Sequence, residues 1–246
     1  MDLKVREAVP AGTAPLRHEH HRDVQGGAAR AAVFGVSDGL LTNVSLILGV
    51  AGAHPAAGVV RLAGLAGMVA GAFSMAAGEY VSMSAQKELI QRELSIEREE
   101  LRRHPESEHR ELVALYVSRG VPQEAADQVA TALSRNPELA LEVHSREELG
   151  VNPGSIGSPP AAAASSFGSF AVGALAPLIP WFFSSGTAAV LASIIIGTLA
   201  ALAVGTLLAV FTGRSKVRTA LRQLGIAIVV AAVTYGIGTA VGVHTG

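Results

Sequence analysis

Cysteine is absent from this 246-residue chain, and two other classes are scarce: 16% of the residues are charged and 4% are aromatic. The first absence excludes disulfides and thiolate metal sites, so a bound metal would have to use oxygen, imidazole or thioether. The second sets the chain apart from soluble domains, which average about 25% charged residues. A charge imbalance is lacking too, at 19 basic against 20 acidic residues, and nothing in it calls for a nucleic-acid partner. From Met1 to about Gln25 there is no apolar core followed by a small-residue cleavage site, so this segment reads as a mobile tail rather than a signal peptide. The run His18-Glu19-His20-His21 within it has no partner helix and reads as exposed histidines rather than a metal site.

What the chain does contain is apolar length. Half of its residues are hydrophobic and its mean hydropathy is +0.40. Five stretches, near 31–53, 62–84, 161–183, 187–211 and 224–243, reach the roughly 20 residues needed to cross about 30 Å of hydrocarbon. Short links rich in turn residues, His54-Pro55-Ala56-Ala57-Gly58 and Phe183-Ser184-Ser185-Gly186, make hairpins of the first pair and of the third and fourth. Small residues recur at four-residue spacing, as in Gly35/Gly39, Gly67/Gly71 and Gly238/Gly242, and predict close helix packing, with a homodimer as a weaker inference. Basic residues set the orientation. Arg214, Lys216, Arg218 and Arg222 lie between the last two spans, and Lys87, Arg92, Arg98, Arg102 and Arg103 follow the second. The positive-inside rule makes both regions cytoplasmic, with the N-terminus inside and the C-terminus outside.

Two of the apolar stretches carry a carboxylate: Asp38 in the first, and Glu79, just after Met75, in the second. A charged carboxylate at membrane depth costs on the order of 3 kcal/mol even on mild insertion scales, so such residues line sites or paths. The chain thus reads as a membrane protein that handles a cation. Most of its charge lies between Lys87 and Glu148, in a segment whose pattern is helical. The second span is expected to continue as one long helix to Arg103, followed by helices opening at Pro105, at Gln123 and at Pro137, the last ending at Leu149 and capped by Gly150. Asn152 to Pro160 leads back to the membrane. Glu97/Glu100 and Glu108/Glu111 are each three residues apart, so each pair shares a helix face, and Pro105 between them allows the faces to meet. Such a cage, closed by Glu148, would suit paired iron or manganese ions; the alternative is a solvated face held by ion pairs, as expected of Glu99, Glu106 and Glu147.

Three segments carry a family resemblance: Phe34-Gly35-Val36-Ser37-Asp38-Gly39-Leu40-Leu41-Thr42-Asn43, Ser74-Met75-Ala76-Ala77-Gly78-Glu79-Tyr80-Val81-Ser82, and Arg146-Glu147-Glu148-Leu149-Gly150. Together they resemble the vacuolar iron transporter family over nearly the whole chain from about Arg30. The resemblance implies a five-span dimer that exchanges ferrous iron, and often manganese, for protons. It implies Asp38 and Met75 as metal contacts in the membrane path, Glu79 beside them with a proton-carrying role, and Glu97, Glu100, Glu108, Glu111 and Glu148 as ligands of a cytoplasmic domain. Where plant members carry paired methionines, this chain has His144-Ser145, and His144 is either an imidazole ligand or an exposed side chain. The separate ferritin-like domain of some relatives is absent from the sequence.

The expected fold class is therefore an all-α membrane protein, five transmembrane helices with a cytoplasmic helical metal-binding domain inserted between the second and third. Its expected parts are a polar tail (1–27), transmembrane helices 1 and 2 (28–85), the metal-binding domain (86–154) and transmembrane helices 3 to 5 (155–246). The expected function is export of ferrous iron and manganese across the cell membrane in exchange for protons, with no permanently bound cofactor; cobalt, nickel and zinc are further ions such donors accept. The partners are the lipid bilayer, divalent transition-metal ions, protons and a second copy of the chain, without nucleic acid. A buried Asp38 with a raised pKa would let metal and proton compete for one site. Two other classes fit the residues less well. A di-iron enzyme needs a second Glu-x-x-His motif beside Glu106-Ser107-Glu108-His109, and a structural protein would use the insert only to bind a partner.

Overall fold

A computed structural model describes residues 27–151 and 157–242. The histidine run of the N-terminal segment and part of the Asn152 to Pro160 connection lie outside them. Among the described residues there are helices and no strands. The helices are α1 (Gly27–Gly52), α2 (Ala57–Arg103), α3 (Pro105–Ser118), α4 (Gln123–Ser134), α5 (Pro137–Glu147), α6 (Pro159–Leu178), α7 (Pro180–Phe183), α8 (Gly186–Thr212) and α9 (Lys216–Gly242). By length and composition, α1, α2, α6, α8 and α9 can each cross a membrane.

Helix α1 is the hub of the apolar part, packed against α2, α6, α8 and α9. Its close approaches depend on small residues. A Cβ on Gly39 would fall 2.1 Å from the Phe170 carbonyl oxygen of α6, and one on Gly238 of α9 would fall 1.8 Å from the Gly49 carbonyl oxygen. Gly35 likewise meets Ser169, and Gly71 meets the Phe170 ring. The four-residue glycine spacing thus serves contacts within one chain. Two apolar clusters fill the space around α1: Ile47, Val60, Leu178 and Trp181 near the α1–α2 turn, and Leu40, Val44, Leu48, Ala201 and Val204 against α8. Outward side chains such as Leu62, Phe73, Leu199, Val229 and Ile237 are exposed, as suits hydrocarbon solvent.

Helix α2 has no Gly or Pro after Gly78, so it runs on without a break to Arg103 and extends about 70 Å in all. Its far half carries α3 and α5. Helices α3, α4 and α5 close over a small core of Leu112, Val113, Ala126 and Ala130, flanked by Tyr116, Leu133 and Val143. Pro105 and Pro137 occupy the first turns of α3 and α5, where a missing N–H leaves no bond unmade. The Asn136 side chain caps α5, accepting from the Glu138 and Leu139 amides at 3.0 and 3.3 Å.

The structure departs from the sequence expectation at three helix ends. The third apolar stretch is not one helix: Pro180 ends α6 and starts α7, while the Pro177 carbonyl at the break accepts from Ser193, whose hydroxyl in turn accepts from Trp181. Helix α9 begins eight residues early, so Lys216, Arg218 and Arg222 lie in its opening turns rather than in a loop, and the turn itself contains Gly213 at φ +66°. Helix α5 stops at Glu147, leaving Glu148 at its C-cap.

Candidate metal centre

Glu97 on α2, Glu108 on α3, His144 on α5 and Glu148 at the α5 cap each bring a ligand atom within 4.8 Å of the others. His144 stands in the middle. Its Nδ1 lies 3.2 Å from Glu148 Oε1, 3.3 Å from Glu97 Oε1 and 3.6 Å from Glu108 Oε2. The imidazole is 1% exposed, which corrects the alternative that left it on the surface. Helical spacing explains the pairing with Glu148, four residues on, and the packing of α5 against α2 supplies the rest.

Electrostatics at this cluster are unfavourable without a cation. Burial, then the carboxylates of Glu148, Glu108, Glu111 and Glu100, push the Glu97 carboxyl up to about 7. Burial and Glu111 raise Glu108 as well, against the opposing effect of His144. Glu97 Oε1 and His144 Nε2 are buried without a hydrogen-bond partner. Among the described residues no Arg or Lys forms an ion pair with Glu97, Glu108 or Glu148, and three guanidinium groups of the insert are engaged elsewhere. Arg102 and Arg103 hold Glu99, lowering its pKa to about 2, and Arg119 holds Glu147. Carboxylates and an imidazole form a donor set that suits divalent transition metals, and a dication would relieve the repulsion. Glu100 and Glu111 are exposed beside this centre, near enough to raise Glu97 yet outside the group of converging atoms. His109, of the Glu-x-x-His run, faces Asp127 at 3.0 Å instead.

The polar and thioether residues of the apolar helices form a second assembly. Asp38 of α1 and Met75 and Glu79 of α2 line a groove of about 420 Å³ together with Arg30, Phe34, Ser37 and Leu41. Met75 and Glu79 are one turn apart and share a face. Asp38 was expected to be buried, but within a single chain it is exposed, with one hydrogen bond, from Thr42 at 3.4 Å. The reason is angular: Leu40, Val44 and Ile47 turn toward the neighbouring helices, which leaves position 38 on the open side of α1. Its neighbours are tied inward, Ser37 accepting from Gln223 of α9 at 2.7 Å and Asn43 donating to the Ala174 carbonyl at 2.6 Å. Glu79 is not free, since Arg30 lies 3.3 Å from it. Along α2, Glu79 and Glu97 are about 27 Å apart, so the two assemblies are distinct.

Comparison with known proteins places these residues in a wider set. The model described as VIT family matches residues 29–239. The chain is 31% identical over 229 residues to "Vacuolar iron transporter 1" of Eucalyptus grandis, covering 92% of this chain and 91% of that protein. It is 32% identical over 228 residues to the protein of the same name from Oryza sativa subsp. japonica, at 91% and 90% coverage. It is 39% identical over 163 residues to "Vacuolar iron transporter" of Acanthamoeba castellanii, covering 65% of this chain and 59% of that protein.

Proposed function

The chain belongs to the VIT family, whose members are transporters and not enzymes, and from that premise we propose that it exports ferrous iron, and manganese, from the cytoplasm in exchange for protons. The observation that carries this reading is the Glu97–Glu108–His144–Glu148 cluster, in which all but Glu148 are buried, no Arg or Lys among the described residues pairs with the carboxylates, and Glu97 shares helix α2 with Met75 and Glu79. In this reading α1, α2, α6, α8 and α9 span the cell membrane. The segment 86–154 is a cytoplasmic metal-binding domain, and the N-terminus lies inside. Glu97, Glu108, His144 and Glu148 hold the ion, while Glu100 and Glu111 raise the local negative potential that draws it in.

Transport itself belongs to the groove. Asp38 supplies a charged oxygen and Met75 a soft thioether, a pair that favours transition metals over calcium and magnesium. Glu79 carries a proton or a metal contact at the same level. A carboxylate must lose its proton to take a metal, so alternate occupation of Asp38 by proton and dication is the basis of exchange. The exposure of Asp38 in one chain supports a homodimer. A carboxylate facing lipid is costly, and a second copy laid over the groove would replace hydrocarbon with protein.

The test is uptake of ferrous iron and of manganese into proteoliposomes with an imposed pH gradient. Gradient-dependent flux in the parent chain, lost in Asp38→Ala, is the expected result. Absence of flux from folded parent protein would overturn the transporter reading.

A further inference from the structure

We propose that Arg30 is a tethered counter-cation that latches the groove, holding Glu79 until an incoming divalent ion displaces it; the inference rests on the transporter reading above. Arg30 Nη2 lies 3.3 Å from Glu79 Oε1, so a cation on α1 pairs with an anion on α2 across the groove. Both side chains line the cavity that Asp38 and Met75 line.

Their order along the helices gives the pair its place. Glu79 lies one turn past Met75 toward the Glu97 end of α2, about 6 Å along the axis. Arg30 lies two turns before Asp38 on the antiparallel α1, about 12 Å. The pair therefore closes the end of the groove nearer the insert, with Asp38 and Met75 behind it. An ion arriving from the insert meets Glu79 already neutralised.

The chemistry of the two groups suits a latch. A guanidinium stays charged at every physiological pH, so the pair does not open by proton loss from Arg30; it opens when another cation competes for Glu79. Exposure is unequal, 18% for the Glu79 side chain and 57% for Arg30. The anion is held inside while the long cationic side chain has room to swing out with its head in water. A dication that reaches Glu79 takes over its charge and frees the way to Asp38.

The experiment measures gradient-driven Mn²⁺ uptake by the full chain in proteoliposomes, across a range of Mn²⁺ concentrations. The parent is compared with Arg30→Gln, Arg30→Lys, Glu79→Gln and the double variant Arg30→Gln/Glu79→Gln. Removing the competitor lowers KM about fivefold in Arg30→Gln, the factor that corresponds to roughly 1 kcal/mol, with a smaller change in kcat. Arg30→Lys, whose ammonium makes a single-point contact, gives an intermediate KM and decides the matter alone should the Gln variant not assemble. With Glu79 already neutral, Arg30→Gln changes nothing further. A residue that only clamps α1 to α2 would lower kcat and leave KM in place. An unchanged or raised KM in the Arg30 variants, or the same fall in KM without Glu79, overturns the latch. A parent without Mn²⁺ flux overturns the transporter reading and the latch with it.

Discussion

Helix α2 carries acidic residues at both ends of its exposed course, and the two ends are built in opposite ways. At the far end, Glu97 is enclosed by α3 and α5, and the converging donors come from α2, α3, α5 and the α5 cap. At the near end, Glu79 and Met75 face an open groove in which Asp38 is uncovered and an arginine already sits. The contrast teaches how burial divides labour. An enclosed cluster of carboxylates is strained until a cation arrives, which favours capture. An open groove binds less completely, which favours release, and release is what transport requires.

The largest effect that would sharpen this contrast is expected at His144. Its Nδ1 faces Glu97, Glu108 and Glu148, so His144→Ala should weaken Mn²⁺ binding by the full chain, measured by calorimetry, by at least the roughly 10- to 100-fold seen when outer-shell partners are removed. Gradient-driven flux at saturating Mn²⁺ should fall much less. Equal losses of binding and flux would erase the distinction between the two sites.

A second effect concerns pH and has opposite signs with and without metal. The Glu97 carboxyl titrates at about 7 in the fold against 4.5 in a free chain, so between those values the folded state holds the extra proton. The stability this shift confers is present below about pH 4.5 and is lost as the pH rises through about 7. Glu97→Gln should therefore stabilise the metal-free protein at pH 8, by on the order of 1–3 kcal/mol, while abolishing tight Mn²⁺ binding. Denaturation of the parent and the variant at pH 5 and pH 8 checks both signs. In the parent, Mn²⁺ affinity should rise from pH 5.5 to about 7 and level off above it, with proton release on binding at the lower pH.

Smaller effects are expected at the exposed carboxylates. Glu100→Ala and Glu111→Ala should each weaken binding less than His144→Ala and should lower flux only at low Mn²⁺, because these groups act through potential rather than contact. Substituting Glu99, which is held by Arg102 and Arg103, should leave Mn²⁺ binding unchanged in the same titration.

Much of this architecture is legible along the chain because it depends on local order. The apolar runs, the unbroken course of α2 and the proline-started helices of the insert follow from composition and from residues that stop or start helices. The shared faces of Glu97/Glu100 and Glu108/Glu111 follow from helical spacing. What sequence does not reveal depends on long-range packing. His144 reaches Glu97 only because α5 lies on α2, and its spacing from Glu148 was the one local sign of its place. Asp38 looked buried because α1 is apolar nearly all round, so periodicity gives no clue to which side its neighbours cover. The break at Pro180 is hidden in the sequence because the apolar run continues across it.

In this reading, capture and transport occur at different places along α2. The most direct test is Mn²⁺ flux through Asp38→Ala protein whose bound Mn²⁺ is counted in the same preparation. Capture at the insert should leave Mn²⁺ bound as in the parent chain, with gradient-driven flux lost. Flux at the parent rate would contradict it.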